Sequence, residues 1–229
     1  MIEYLLLDLD NTILDFTRAE YDALGKTLRA FGLEPTDTVR QRYSQINHDH
    51  WERLERQELT RAQVVVGRFE TLLREFGLVA DANAMSKAYE DNLAYGEHHF
   101  LPGAEEAMEQ LSQKYQLYMV TNGTAHVQRP KLAASGVGKY FKDIFISELM
   151  GADKPSKEYF TRCFARIPGF DISRAMIVGD SLSSDIQGGI NVGMLTCWVN
   201  PDHKKGNIQA YYEIENLGQL EALLDAIDN

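Results

Sequence analysis

Asp8 and Asp10 stand two positions apart in Asp8-Leu9-Asp10-Asn11-Thr12, directly after the apolar run Tyr4–Leu7. On extended backbone, residues two apart face the same way, so both carboxylates can enter one site. Carboxylates forced together repel unless a cation or a shared proton offsets them. A hard divalent ion that prefers oxygen ligands answers this, with Mg2+ the first choice. Three further clusters follow along the chain. Val120-Thr121-Asn122-Gly123 offers a hydroxyl, an amide and backbone N–H groups, which suit either a phosphate cradle or a plain turn with a helix cap. Lys154-Pro155 places Pro155 in the first turn of a helix and Lys154 just outside its N-terminus. There the lysine either pairs with a phosphoryl oxygen and a carboxylate together or stays a solvated surface group. Gly179-Asp180-Ser181-Leu182-Ser183-Ser184-Asp185 follows Met176-Ile177-Val178. Asp180 and Asp185 supply further metal ligands, and helix N-capping also accounts for Asp185. Each cluster alone has an ordinary structural explanation. Together, all four follow apolar runs and share the edge at which α/β sheets bind ligands, which the separate explanations leave unaccounted for.

The elements that must position these groups are legible as texture. Five short apolar runs, Tyr4–Leu7, Leu117–Val120, Ile144–Ile146, Ala175–Val178 and Leu195–Val199, end abruptly in polar, Gly-rich turns. Continuous apolar runs read as strands buried on both faces, hence a parallel sheet covered by helices. Residues 16–96 differ: no strand pattern appears, and Thr17 with Glu20 and Thr60 with Gln63 both fit a capping box. Gly32, Gly77 and Gly96 stand where helices would stop, and the chain returns to the main unit near Pro102-Gly103. The expected fold class is α/β, a doubly wound parallel-sheet (Rossmann-like) core with a small helical cap inserted after the first strand. Residues 1–15 and 97–229 would form the catalytic core and 16–96 the cap.

With 229 residues, 44% of them hydrophobic, the chain can build one ordinary domain with an insertion. The formal net charge of −11 argues against a nucleic-acid polymer as partner, because nothing neutralises its phosphates. No apolar run approaches a membrane span, and Asp8 and Asp10 fall where a signal peptide would be apolar. A cytoplasmic protein, monomeric or weakly dimeric, is expected. Cys163 and Cys197 lie among apolar neighbours in no metal-ligand spacing, which reads as two buried thiols.

In this order, D-x-D-x-T, a strand-terminal Thr121, Lys154-Pro155 and G-D-x-x-x-x-D resemble the haloacid dehalogenase superfamily of phosphohydrolases over almost the whole chain. The resemblance implies Asp8 as nucleophile on phosphorus and Asp10 as the acid that protonates the leaving oxygen and then the base that deprotonates water. It implies Thr121, Asn122 and Lys154 as phosphate contacts. It also implies Mg2+ held by Asp8, the Asp10 backbone carbonyl and Asp180, with Asp185 in support. Narrower similarity in Gly67-Arg68-Phe69-Glu70, in Asn47 with Trp51, and in Ser184 to Asn191 followed by Thr196-Cys197-Trp198 resembles the pyrimidine 5'-nucleotidase branch. That makes a nucleoside monophosphate the expected substrate, with Asn47, Trp51 and Arg68 as specificity residues. Asn47 and Trp51 share a helix face. Trp51 either stacks on a base or packs the cap core, and Arg68 either meets substrate or makes an internal ion pair. A sugar-phosphate phosphatase or phosphomutase would use the same reacting groups, and a phosphate-responsive module without turnover is the reading from another class. A dehalogenase has no leaving oxygen to protonate and no need of Asp10. Two departures from the family pattern stand out. Asp153 precedes Lys154 and could draw it away, and Pro130 falls inside the helix after Thr121, where it should bend or delay that helix.

Overall fold

The computed structural model describes residues 1–228. Strand β1 (Tyr4–Leu7) is buried along its whole length. Its residues alternate between two hydrophobic layers, as a pleated strand requires. Leu5 and Leu7 join Met108, Leu111, Met119 and Leu224 on one face. Tyr4 and Leu6 join Tyr118, Phe145, Tyr159 and Phe160 on the other. Helices α1 (Phe16–Ala30), α2 (Asp37–Glu55), α3 (Arg61–Phe76) and α4 (Ala82–Ala94) follow, then α5 (Ala104–Lys114). The chain continues through β2 (Gln116–Thr121), α6 (Ala125–Ser135), β3 (Asp143–Ile146), α7 (Ser147–Met150), α8 (Lys157–Phe164) and β4 (Ala175–Gly179). A π-helical turn, Leu182–Ile186, leads into α9 (Gln187–Val192), and β5 (Leu195–Val199), β6 (Tyr212–Ile214) and α10 (Leu220–Asp228) close the chain.

The six strands lie in the order β3-β2-β1-β4-β5-β6, and every pairing is parallel. This is the doubly wound order of Rossmann-type sheets, whose carboxyl ends open onto a crevice where the strand order reverses. β1 sits at that reversal, between β2 and β4, so the segments after these three strands meet. β6 escapes the sequence pattern because it is a three-residue edge strand whose middle residue, Glu213, is exposed.

The four helices α1–α4 bury their own cluster, including Leu24, Leu28, Leu72 and Met85 around the mutually packed rings of Tyr43, Phe69 and Tyr89, with centroids 5.1–5.5 Å apart. Val127 of α6 belongs to the same cluster, which seats the helices on the sheet unit. The capping box of Thr60 with Gln63 forms as expected and starts α3. The expected box of Thr17 with Glu20 does not. α1 is capped one residue before its start by Asp15, whose carboxylate accepts from the Arg18 N–H at 2.9 Å. Thr17 instead donates to Asn11 Oδ1, and Glu20 is buried against Ser44 and Asn47. Two prolines also depart from expectation. α6 begins at Ala125 and runs through Pro130, so the helix is not delayed. Pro155 follows a cis peptide bond and precedes α8 rather than opening it; Ser156 is the cap, accepting from the Tyr159 N–H at 3.2 Å.

Candidate active site

Parallel pairing of β1 with β4 carries the Asp8 N–H onto the Val178 carbonyl at 3.0 Å, so Asp8 emerges at the carboxyl edge beside Gly179-Asp180. Lys154, 1% exposed, reaches in from the turn before α8. Its Nζ donates to Asp8 Oδ1 and Asp185 Oδ1, both at 2.7 Å, and to the Val120 carbonyl at 3.0 Å. Asp185 is fully buried in the π-helical turn, and its Oδ2 accepts from the Ser181 N–H at 3.1 Å. Gly179 makes room for it: a Cβ there would collide with the Asp185 carboxylate.

The electrostatics follow from four acids meeting one central cation. Burial pushes the Asp8 carboxyl up to about 7 against the pull of Lys154, with Asp185 and Asp10 adding to the rise. Asp180 is pushed well above the usual carboxylate range, first by burial and then by Asp8 and Asp185. Burial alone would lower Lys154, but Asp185 and Asp8 outweigh it and hold the ammonium above its ordinary range. Asp8, Asp180 and Asp185 each bring an oxygen within 4.8 Å of the others. Three carboxylates this close form a donor set suited to a hard divalent cation.

Asp10 turns to a different set of partners. Lys131 Nζ donates to its Oδ1 at 2.6 Å and Gln128 Nε2 to its Oδ2 at 2.8 Å, both donors being 1% exposed and one helical turn apart on α6. The same Gln128 amide reaches Thr121 Oγ1 at 2.9 Å, and the Gly123 N–H reaches it at 3.1 Å. With both lone pairs so engaged, the Thr121 hydroxyl has its proton left to donate into the cavity. Sequence reasoning passed over Gln128 and Lys131. Their only signal is the three-residue spacing on a helix that starts beside Thr121. Asn122 was expected at the phosphate; its side chain is committed elsewhere, exchanging hydrogen bonds of 3.0 and 2.9 Å with the Lys154 backbone and thereby pinning the lysine turn.

Asp153 does not divert Lys154. It pairs with Arg61 at the start of α3, whose guanidinium also donates to Ser147 Oγ at 2.6 Å and to the Asn122 carbonyl. The three helical residues expected to set specificity divide. Trp51 and Arg68 line a cavity of about 180 Å³ together with Asp8, Asp10, Thr121 and Lys154. Asn47 is buried inside the helical unit, donating to Glu20 Oε1 at 2.7 Å and accepting from Arg68 Nη1 at 2.9 Å. Arg68 thus belongs to an internal network and to the cavity wall. Glu55 and Glu90, neither singled out from sequence, also line the helical side of the wall, with Phe16 and Leu93. Both cysteines are buried free thiols, pushed up to about 12 by burial. Among the described residues no helix is long and apolar enough to cross a membrane.

A buried carboxylate, a lysine bridging it to a second acid, and a separately held acid beside a hydroxyl share one cavity at the carboxyl edge of the doubly wound sheet. The chain belongs to the haloacid dehalogenase-like hydrolases, whose family model matches residues 2–193. It is 42% identical over 223 residues to the HAD-hydrolase YfnB of Bacillus subtilis, covering 96% of this chain and 94% of that one. A crystal structure of YfnB bound to magnesium, described as revealing interdomain movement, superposes with a TM-score of 0.92 at 41% identity, covering 98% of this chain and 99% of that one. Identity is 35% over 229 residues to the pyrimidine 5'-nucleotidase PynA of Streptococcus pneumoniae, covering 99% and 95% of the two chains. The pyrimidine 5'-nucleotidase YjjG of Escherichia coli is 30% identical over 230 residues, covering 97% of each chain.

Proposed function

We propose that this protein is a Mg2+-dependent phosphoric monoester hydrolase that acts on nucleoside 5'-monophosphates, pyrimidine nucleotides above all, with residues 16–96 as a cap over the site. The observation that carries the reading is the Lys154 ammonium shared between Asp8 and Asp185 on the cavity floor, 2.7 Å from each. It opposes the protonation that burial favours at a carboxylate facing a cavity, as a nucleophile on phosphorus needs. Asp8, Asp180, Asp185 and the Asp10 main-chain carbonyl would hold Mg2+, which supplies charge neutralisation for the carboxylates and the incoming dianion.

A carboxylate oxygen of Asp8 attacks phosphorus, the bond to the ester oxygen breaks, and that oxygen takes the proton of Asp10. The alcohol departs and the phosphoryl group stays on Asp8. Asp10, now ionised, removes a proton from water, whose oxygen attacks phosphorus and displaces Asp8 as the carboxylate. Lys154 and the outward hydroxyl of Thr121 stabilise the charge on the phosphoryl oxygens, while Lys131 and Gln128 keep Asp10 in place. The similarity to PynA and YjjG favours a nucleotide over a sugar phosphate as the ester, and Trp51 and Arg68 in the cavity wall offer a stacking face and a donor for a base.

The test is phosphate release from p-nitrophenyl phosphate with and without Mg2+, followed by a panel of nucleoside monophosphates and sugar phosphates. Turnover that needs Mg2+ and vanishes in Asp8→Asn is the expected result. No turnover of any ester would overturn the phosphatase reading. Pyrimidine nucleotides ranking no higher than sugar phosphates would remove the nucleotidase assignment alone.

A further inference from the structure

Glu55 is the last residue of α2 and lines the cavity from the helical side, where the Ser183 side chain hydrogen-bonds its carboxyl and Asp185 and Lys154 lie close enough to bear on its charge. Its Oε2 is buried without a hydrogen-bond partner. Ion pairing within the helical unit does not account for it. The two arginines beside it in sequence are otherwise engaged, Arg53 with Glu58 and Arg56 with Glu58 and Glu52. Its position is unfavourable on two further counts. A carboxylate in the last turn faces the negative end of the helix dipole, and this one also faces a cavity already lined by Asp8, Asp180 and Asp185. A buried acceptor left open is costly, so one that persists against such a field calls for a donor that arrives from outside the chain.

We propose that Glu55 is a specificity-determining residue whose Oε2 accepts a hydrogen bond from an O–H or N–H of the substrate's leaving group. The site then selects phosphate esters of polyols and nucleosides over esters whose leaving group carries no donor. This rests on the phosphatase reading of Asp8 and names the feature of the ester that the helical side recognises. A site built around a donor rejects analogues lacking it, because the buried acceptor is otherwise left unpaired.

The experiment compares kcat/KM for thymidine 5'-monophosphate, ribose 5-phosphate and p-nitrophenyl phosphate in the wild type, Glu55→Ala and Glu55→Gln, each with Mg2+ and each checked for an unchanged melting curve. The ratio of kcat/KM between the donor-bearing esters and p-nitrophenyl phosphate is expected to fall about 10- to 100-fold in Glu55→Ala. In Glu55→Gln, which keeps an acceptor, the fall is expected to be smaller. A fall for both natural esters assigns the donor to a sugar hydroxyl, and a fall for the nucleotide alone assigns it to the nucleoside. If all three esters lose activity equally, or none does, Glu55 does not read the leaving group and the proposal is overturned. Neither result bears on the Asp8-dependent turnover of p-nitrophenyl phosphate by the wild type, so the phosphatase reading would survive.

Discussion

Lys131 and Gln128 give each oxygen of Asp10 its own donor, at 2.6 and 2.8 Å, from buried positions on α6. In the role we propose for Asp10, an acid that protonates one oxygen and then deprotonates another has to be held at a set distance from phosphorus, and misplacement by about 1 Å costs on the order of 10²-fold in rate. Lys131→Met is therefore expected to lower kcat about 10- to 100-fold with little change in KM, and Lys131→Arg to recover part of it. Steady-state kinetics with p-nitrophenyl phosphate measure this, and a double-mutant cycle identifies the route. In an Asp10→Asn background Lys131→Met should cost almost nothing more, whereas additive losses would show that Lys131 acts elsewhere.

At the scale of elements, α3 is tied to the sheet through its first residue. Arg61 joins Asp153, Ser147 and the Asn122 carbonyl, and Asn122 in turn holds the backbone of Lys154. A displacement of the helical unit is thereby felt at the turn that carries Lys154. The pair is largely shielded, with side-chain exposures of 15% and 29%, so it is worth more than a surface ion pair. Arg61→Ala is expected to raise KM for a nucleotide roughly tenfold while shifting Tm by only a few degrees. Kinetics and a thermal melt test this together. An unchanged KM would mean that the contact only fastens α3 to the sheet. Asp153, an oddity when read beside Lys154 alone, has its explanation in this contact across 92 positions.

For the molecule as a whole, the acid cluster links cation, pH and stability. Burial holds Asp8 and Asp180 above the ordinary carboxyl value of 3.8, so the folded chain without metal binds their protons more tightly than the unfolded chain does. That contribution is fully present below about pH 3.8 and is lost as pH rises through the folded value of about 7 for Asp8. Lys154, held above its ordinary range, stays charged throughout this window and does not alter its direction. A divalent cation replaces the lost protons, so Mg2+ is expected to raise Tm more at about pH 8 than at about pH 5.5. Melting curves with Mg2+ and with a chelator at the two values decide it. Equal gains at both would show that the cluster is not where the ion acts.

The sheet and its acids were legible from local sequence because strands buried on both faces must be continuous apolar runs, and the polar residues ending them can only lie at the sheet's edge. Asp8, Thr121 and Asp180 follow from that rule, Lys154 and Asp185 from the motifs that continue past the strand ends, and the helical character of α1–α4 from capping patterns and glycine stops. What the tertiary structure alone decided is pairing at long range. Lys131 is buried on Asp10, 121 positions away, Asn122 is spent on the Lys154 backbone, and Asn47 is drawn into the helical interior with Arg68 beside it. A polar side chain carries the same letter whether it faces water, a neighbour or a ligand. Only the packing of elements distant in sequence determines which of these it meets.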